Sequence, residues 1–207
     1  MTGTPPTLDA GYFNAMYEAS ADPWGFSSRW YEARKYAISM AMLPRQHYRE
    51  AFEPGCSIGV LTELLAPRCA RLLSCDLAPA AVHAAAGRTR HLPQVRVEHR
   101  VLPADWPSGR FDLIVASELL YYFGGHDLDE MVCRITAALR PDANLLAVHW
   151  LHPVAEYPRS GGEVHHALAA TRGLARLATH RERDFLAEVY VRTDGEATSV
   201  AQATGLA

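Results

Sequence analysis

Apolar residues along this chain switch repeatedly between a period of two and a period of about 3.6, and that alternation restricts the fold most. Short apolar runs suited to strands fall at Arg49–Glu53, Arg71–Asp76, Val95–Val101, Phe111–Ala116 and Asn144–Trp150. Helical patterns lie between them. Ser27 or Ser28 can cap a helix that places Trp30, Ala33, Ala37 and Ala41 on one face and stops before Pro44. Leu61, Leu64 and Leu65 mark a second helix ending at Pro67. Ala80–Arg88 with Pro79 at its start marks a third. Leu128, Met131, Val132, Ile135 and Leu139 form the strongest amphipathic stripe, with Asp127 and Glu130 as a capping pair and Pro141 beyond it. A helix near Val164–Arg172 precedes two closing strands, Leu174–His180 and Asp184–Arg192, read as an antiparallel pair. Alternating strands and helices predict an α/β fold: a mostly parallel sheet with helices on both faces.

With 207 residues, 49% of them hydrophobic, the chain suits one domain. We assign it to residues 11–192, with 11–45 as an N-terminal helical cap over the active site. Residues 1–10 and 193–207 carry little apolar surface and are expected to be a disordered arm and tail. A net charge of −3 supplies no field for nucleic acid or an anionic membrane. No apolar run approaches a bilayer span, and no signal peptide is visible. Cys56, Cys69, Cys75 and Cys133 form no C-x-x-C pair and read as buried thiols in a reducing compartment, the cytoplasm. His165-His166 and His126 with Asp127 invite a metal reading. Adjacent His side chains diverge and no third ligand stands out at helical spacing, so no metal is expected.

The chemistry concentrates where the first strand turns into its helix, at Glu53-Pro54-Gly55-Cys56-Ser57-Ile58-Gly59. Gly55 permits a sharp turn and Gly59 a close approach of helix, strand and ligand. Asp76 ends the next strand, about 20 positions after Gly55, the offset at which a carboxylate meets ribose hydroxyls in nucleotide-binding α/β folds. Dinucleotide sites use G-x-G-x-x-G, whereas Ser57 stands at the second glycine, and there is no G-K-[ST] for a triphosphate. A nucleoside ligand without phosphate, such as S-adenosylmethionine, suits this turn better, with Glu53 orienting the turn and the ligand's ammonium end. A competing pattern is G-x-S-x-G, with Ser57 as a hydrolase nucleophile and Asp112 and His149 following in order. It lacks the strands and oxyanion loop that should precede such an elbow, and leaves Asp76 without a role. A third reading keeps the fold as a binding module without catalysis.

Asp22-Pro23-Trp24, Trp30-Tyr31-Glu32-x-Arg34-Lys35, the Glu53–Thr62 stretch, Ala66-Pro67-Arg68-Cys69, Trp106-Pro107, Phe111-Asp112-Leu113-Ile114 and Ser117-Glu118-Leu119-Leu120-Tyr121-Tyr122 together resemble the NodS-like methyltransferases. The resemblance covers about half the chain. It implies the seven-stranded class I methyltransferase sheet, S-adenosylmethionine as donor, and an amine or hydroxyl of a small molecule as acceptor. A monomer or homodimer is expected. The acidic residue that many such enzymes carry after the third strand is replaced here by Val101-Leu102, so backbone contacts are expected there. Leu77 and Ser117 flank the donor site on the same reasoning. Trp24, Phe26, Trp30, Tyr31, Tyr121 and Tyr122 are candidates to wall in a sulfonium and its acceptor. Arg34 is a candidate for the donor's carboxylate. His149 is the first choice as base or positioner and Glu118 the second, because both sit at strand ends. His152 is a third, on the acceptor side.

Overall fold

The computed structural model describes residues 5–207, so the first four residues of the expected arm lie outside the described part. Seven strands form one sheet: β1 (Tyr48–Pro54), β2 (Cys69–Asp76), β3 (Val95–His99), β4 (Phe111–Ser117), β5 (Leu139–Trp150), β6 (Leu174–Arg181) and β7 (Phe185–Arg192). Their order is β3-β2-β1-β4-β5-β7-β6. All neighbours run parallel up to β5, and β7 then inserts antiparallel between β5 and β6. The order reverses between β1 and β4. There the helices that follow the two strands leave on opposite faces and open a crevice at the strands' carboxyl ends.

The helices are α1 (Ala10–Ala19), α2 (Trp30–Met42), α3 (Val60–Leu65), α4 (Pro79–Thr89), α5 (Gly125–Ala138), α6 (Gly161–Ala169) and α7 (Val200–Ala203). Each face of the sheet carries its own apolar layer. One is built on Phe52, Ile114, Met131 and Ile135, and the other on Tyr48, Leu72, Leu113 and Phe185. Fully buried runs such as Leu113–Ala116 and Leu145–Val148 show why the central strands read as continuous apolar segments: both of their faces are covered.

Several local expectations are corrected. α1 is absent from the sequence reading, although Asp9 caps it by accepting from the Tyr12 amide at 3.1 Å and Phe13 and Tyr17 fall one turn apart on its buried face. α2 has no side-chain cap at Ser27 or Ser28, and it turns the other way round from the predicted face. Trp30 is 77% exposed, Ala33, Ala37 and Ala41 face solvent, and Glu32, Lys35, Tyr36 and Ser39 are buried. A charged face goes inward because its charges are mutually paired, as described below. α5 begins at Gly125 without a side-chain cap, so Asp127 and Glu130 are not a capping pair. Leu139 belongs to β5, and Asp142 (φ +60°) takes the turn there. Residues 5–9, expected as a frayed arm, run across the site's edge. The Thr7 hydroxyl donates to Asp127 at 2.5 Å and accepts from the Gly124 amide at 2.9 Å, and the Leu8 amide donates to the Tyr122 carbonyl at 3.0 Å. The tail carries the short capped helix α7. Cys133 is exposed, unlike the other three thiols.

Candidate active site

At the carboxyl ends of β1, β2 and β4, roofed by α1 and the segment before α2, lies a cleft with about 820 Å³ of atom-free space, part of it open to solvent. Its floor is the predicted glycine turn. The Gly55 and Cys56 amides both donate to the Cys75 carbonyl, at 2.8 and 2.9 Å, which pins the turn to the end of β2. Gly55 (φ +72°) and Gly59 (φ +79°) are left-handed. A Cβ on Gly59 would stand 2.9 Å from the Ala85 Cα, a backbone atom of α4 that cannot step aside. Gly59→Ala is therefore expected to cost about 1–3 kcal/mol in urea unfolding, from φ strain and overpacking together.

Asp76 meets this turn from the side. One carboxylate oxygen accepts from the Ser57 amide and the other from the Ala78 amide, both at 2.9 Å. Burial nonetheless raises its pKa, against the lowering effect of those amides. Each oxygen keeps further acceptor capacity toward the cleft, which Asp76 lines together with Leu77 and Leu102. Ser57 itself is left-handed (φ +50°), and its hydroxyl lies 2.6 Å from the Tyr17 hydroxyl, tying α1 to the turn.

Beneath the turn, Glu53 is fully buried. Its Oε2 accepts from the Thr62 and Ser74 hydroxyls at 2.6 and 2.8 Å, yet burial pushes its pKa up to about 7. A carboxyl group raised in this way costs stability as pH climbs from its unfolded value, about 4.3, through about 7. Glu53→Gln is accordingly expected to equal the parent in stability near pH 4. It should exceed the parent near pH 8, by on the order of 1–3 kcal/mol, in paired denaturation curves.

The aromatic wall combines Trp24 and Tyr122 with Phe13, Tyr17, Phe26 and Tyr36. Trp24 stacks on Phe26 with ring centroids 5.4 Å apart and meets the edge of Tyr17 at 5.7 Å. At the far end sits Glu118, in a left-handed conformation (φ +52°) just after β4. It accepts from Lys35 at 2.7 Å, from the Trp150 amide at 3.0 Å and from the Tyr121 hydroxyl. Lys35, the only lysine of the chain, is buried and also pairs with Glu32 at 2.9 Å. Its ammonium lies 5.2 Å from the centre of the Tyr31 ring.

Of the residues predicted for the donor, Trp24, Glu53, Gly55, Cys56, Ser57, Asp76, Leu77, Leu102 and Ser117 line the cleft. Gly59, Trp30 and Val101 do not: Gly59 packs against Ala85, and the other two are exposed. Arg34 is exposed as well and forms a bidentate pair with Glu182, at 2.6 and 2.8 Å. The cation that α2 brings to the site is its neighbour, Lys35. Among the acceptor-side candidates Tyr122 lines the cleft, and Tyr121 lies behind it with its hydroxyl on Glu118. Tyr31 packs edge-on against Trp150 and Phe185, its hydroxyl buried without a hydrogen-bond partner among the described residues. His152 is exposed and bonded to Asp184 at 2.7 Å.

The first-choice base is corrected outright. His149 is wholly buried, its Nε2 accepts from the Leu120 amide, and its Nδ1 bonds His165. Neither nitrogen is left for a substrate. The hydrolase triad fails for the same reason, and Asp112 is occupied by the Arg49 and Glu50 amides. His126, Asp127 and Glu130 do come together, with ligand atoms within 4.8 Å, so a third residue at helical spacing exists after all. Thr7 and Arg134 already occupy the two carboxylates. Phe13, Tyr17, Tyr36 and Arg100 were missed. The Asp9 cap and the Phe13–Tyr17 spacing were legible signals for two of them.

Seven strands in this order, with an antiparallel last insertion and a crevice over β1 and β4, define the class I methyltransferase fold. The chain belongs to the nodulation protein S (NodS) family, whose sequence model matches residues 16–160. Nodulation protein S of Bradyrhizobium diazoefficiens is 33% identical over 132 residues, which cover 60% of this chain and 61% of that protein. The Rhizobium tropici protein of the same name is 32% identical over 126 residues, covering 59% and 51%. The matches thus span about half to three-fifths of the curated relatives' own lengths. Among solved structures, a candidate methyltransferase from Pseudomonas syringae is 44% identical, with a TM-score of 0.71 over 79% of this chain and 100% of that one. N-methyltransferase NodS from Bradyrhizobium japonicum WM9, in complex with S-adenosyl-L-homocysteine, shares the fold with a TM-score of 0.79 at 22% identity. That match covers 89% of this chain and 99% of the other.

Proposed function

We propose that this protein is a methyltransferase that takes its methyl group from S-adenosylmethionine and delivers it to an amine or hydroxyl of a small molecule. An amino sugar or a natural-product intermediate is the acceptor class in view. The observation that carries the reading is the pairing of Asp76 with the Gly55–Gly59 turn on one cleft floor. The carboxylate keeps acceptor capacity for two ribose hydroxyls, and the turn leaves room beside it without the glycine pattern a pyrophosphate requires. The membership of the NodS family and the solved complex of its B. japonicum relative support the same donor.

The donor, when bound, supplies an electrophilic methyl group on a sulfonium. The chain's residues do the rest, by alignment and exclusion of water. Tyr17, Trp24, Phe26 and Tyr36 offer π faces to a cation. Glu53 lies beneath the turn, toward the ammonium end of the donor. Glu118 is the acceptor-side carboxylate: held by Lys35, Tyr121 and the Trp150 amide, it presents a fixed hydrogen-bond acceptor to an incoming N–H or O–H. Glu118, rather than His149, is the catalytic candidate. Residues 11–192 act as the single methyltransferase domain, 11–45 as its cap, and the chain works as a monomer or homodimer. The buried thiols suit the reducing cytoplasm, and no helix among the described residues is long and apolar enough to cross a membrane.

The test is methyl transfer from radiolabelled donor into a panel of amino sugars, other amines and phenols. Label in a small-molecule product is the expected result. Absence of label throughout, with the protein folded, would leave the binding-module reading. Covalent capture of Ser57 by a fluorophosphonate would revive the hydrolase.

A further inference from the structure

Behind the acceptor end of the cleft lies a buried polar chain that the transfer chemistry does not use. His149 on β5, His165 on α6 and Glu188 on β7 are each at most 4% exposed. The Leu120 amide donates to His149 Nε2 at 3.2 Å, so that nitrogen carries a lone pair. The neutral ring then keeps its proton on Nδ1 and donates a hydrogen bond from it to His165 Nε2 at 3.1 Å. His165 in turn carries its proton on Nδ1 and donates to Glu188 Oε2 at 2.7 Å. Glu188 accepts further bonds from Tyr190 and, at 2.9 Å, from Arg176. Each bond's direction forces the next, and the sequence closes on a carboxylate. Burial holds His149 well below its ordinary pKa. Glu188, despite its own burial, is brought down to about 2 by His165 and Tyr190.

The near end of this chain is a backbone amide, so no proton can pass through it to Glu118. What it can transmit is position. Leu120 lies in the turn from Glu118 to Tyr122, which begins at a left-handed non-glycine residue and places Glu118, Tyr121 and Tyr122 around the acceptor end. Such a conformation is disfavoured for a residue other than glycine and persists only where surrounding bonds hold it. An imidazole fixed in one tautomer by an outer carboxylate is a familiar way to hold an inner group, as around metal-binding histidines.

We propose that His149, His165 and Glu188 are positioning residues for the transfer: they clamp the Leu120 amide and thereby set the acceptor-facing geometry of Glu118, Tyr121 and Tyr122. The role in turnover rests on the methyl-transfer reading above; the clamp itself does not.

The test begins with wild-type protein labelled with ¹⁵N-histidine, with S-adenosylhomocysteine added. The expected spectrum shows His149 protonated at Nδ1 and bare at Nε2, and a proton on Nε2 overturns the proposal. His149→Phe removes the clamp, while His149→Gln keeps an acceptor for the Leu120 amide. With an acceptor methylated in the panel above, the Phe variant is expected to lose ~10-fold or more in kcat. Its acceptor KM and S-adenosylhomocysteine affinity should stay within about twofold, and the Gln variant should recover most of the rate. Wild-type kcat in the Phe variant, or no recovery in the Gln variant, overturns it. If nothing in the panel is methylated, the functional reading fails separately. The Glu118–Tyr122 amide shifts then decide the clamp: displaced in the Phe variant they support it, unchanged they refute it. Should the Phe variant not fold, the wild-type tautomer remains decisive.

Discussion

Asp76→Ala is expected to weaken S-adenosylhomocysteine binding by at least about 100-fold, measured by calorimetry on folded protein. Two effects add. The ribose loses charge-assisted hydrogen bonds worth roughly 1.5–3 kcal/mol each. The Ser57 and Ala78 amides also lose their partners, so the turn that shapes the floor is no longer fixed. Asp76→Asn separates these contributions, since its amide oxygen can still accept from one of the two amides. It should bind more weakly than the parent and more tightly than the alanine variant. Because Asp76 lines the cleft rather than the core, the stability loss in Asp76→Ala should stay near 1–2 kcal/mol. A variant that unfolds outright would point to a structural role outweighing the ligand one.

Lys35→Met is expected to be the most destabilising single substitution in the cap, by about 3–5 kcal/mol in chemical denaturation at pH 8. Methionine fills most of the volume, so packing is not the reason. The substitution leaves Glu32 and Glu118 buried side by side without a counter-charge. Burial alone would lower the Lys35 pKa, but Glu118 and Glu32 raise it on balance, so its favourable pairing persists across the physiological range and fades only above the ordinary lysine value. Glu32 is raised because burial outweighs the pull of Lys35, and without Lys35 it rises further. The penalty of the Met variant must therefore grow as pH increases from about 4.5 upward, where the unfolded carboxylates ionise. Adding Glu118→Gln to Lys35→Met removes one orphaned charge and should restore part of the loss. An equal loss at pH 4.5 and pH 8 would mean that packing, not charge, holds α2 down.

The sheet was legible because its signal is local and strong: runs such as Phe111–Ala116 suit strands covered on both faces, and the Gly55–Gly59 turn with Asp76 needs no tertiary knowledge to recognise. The cap was not. An apolar stripe of Trp30, Ala33, Ala37 and Ala41 looks like a core-facing surface until Lys35, Glu32 and Glu118 are seen to neutralise one another, a fact set by residues 83 positions apart in sequence. The same blindness assigned the donor carboxylate to Arg34 and catalysis to His149. Arg34 is claimed by Glu182 on the β6–β7 hairpin and His149 by His165 on α6, and periodicity carries no information about either partner. α1 was lost for a plainer reason. It fell inside the expected 11–45 cap without being read as a helix of its own, because Pro5 and Pro6 drew the neighbouring Asp9 into the expected frayed arm and the Phe13–Tyr17 pair was passed over.

The contact between Asp76 and the donor ribose would be displayed directly by a crystal of this chain grown with S-adenosylhomocysteine. Ribose hydroxyls are expected about 2.6–3.0 Å from the Asp76 carboxylate, with the sulfur directed toward Glu118. Adenosine bound elsewhere, or Asp76 turned from a cleft the ligand does not enter, would contradict it.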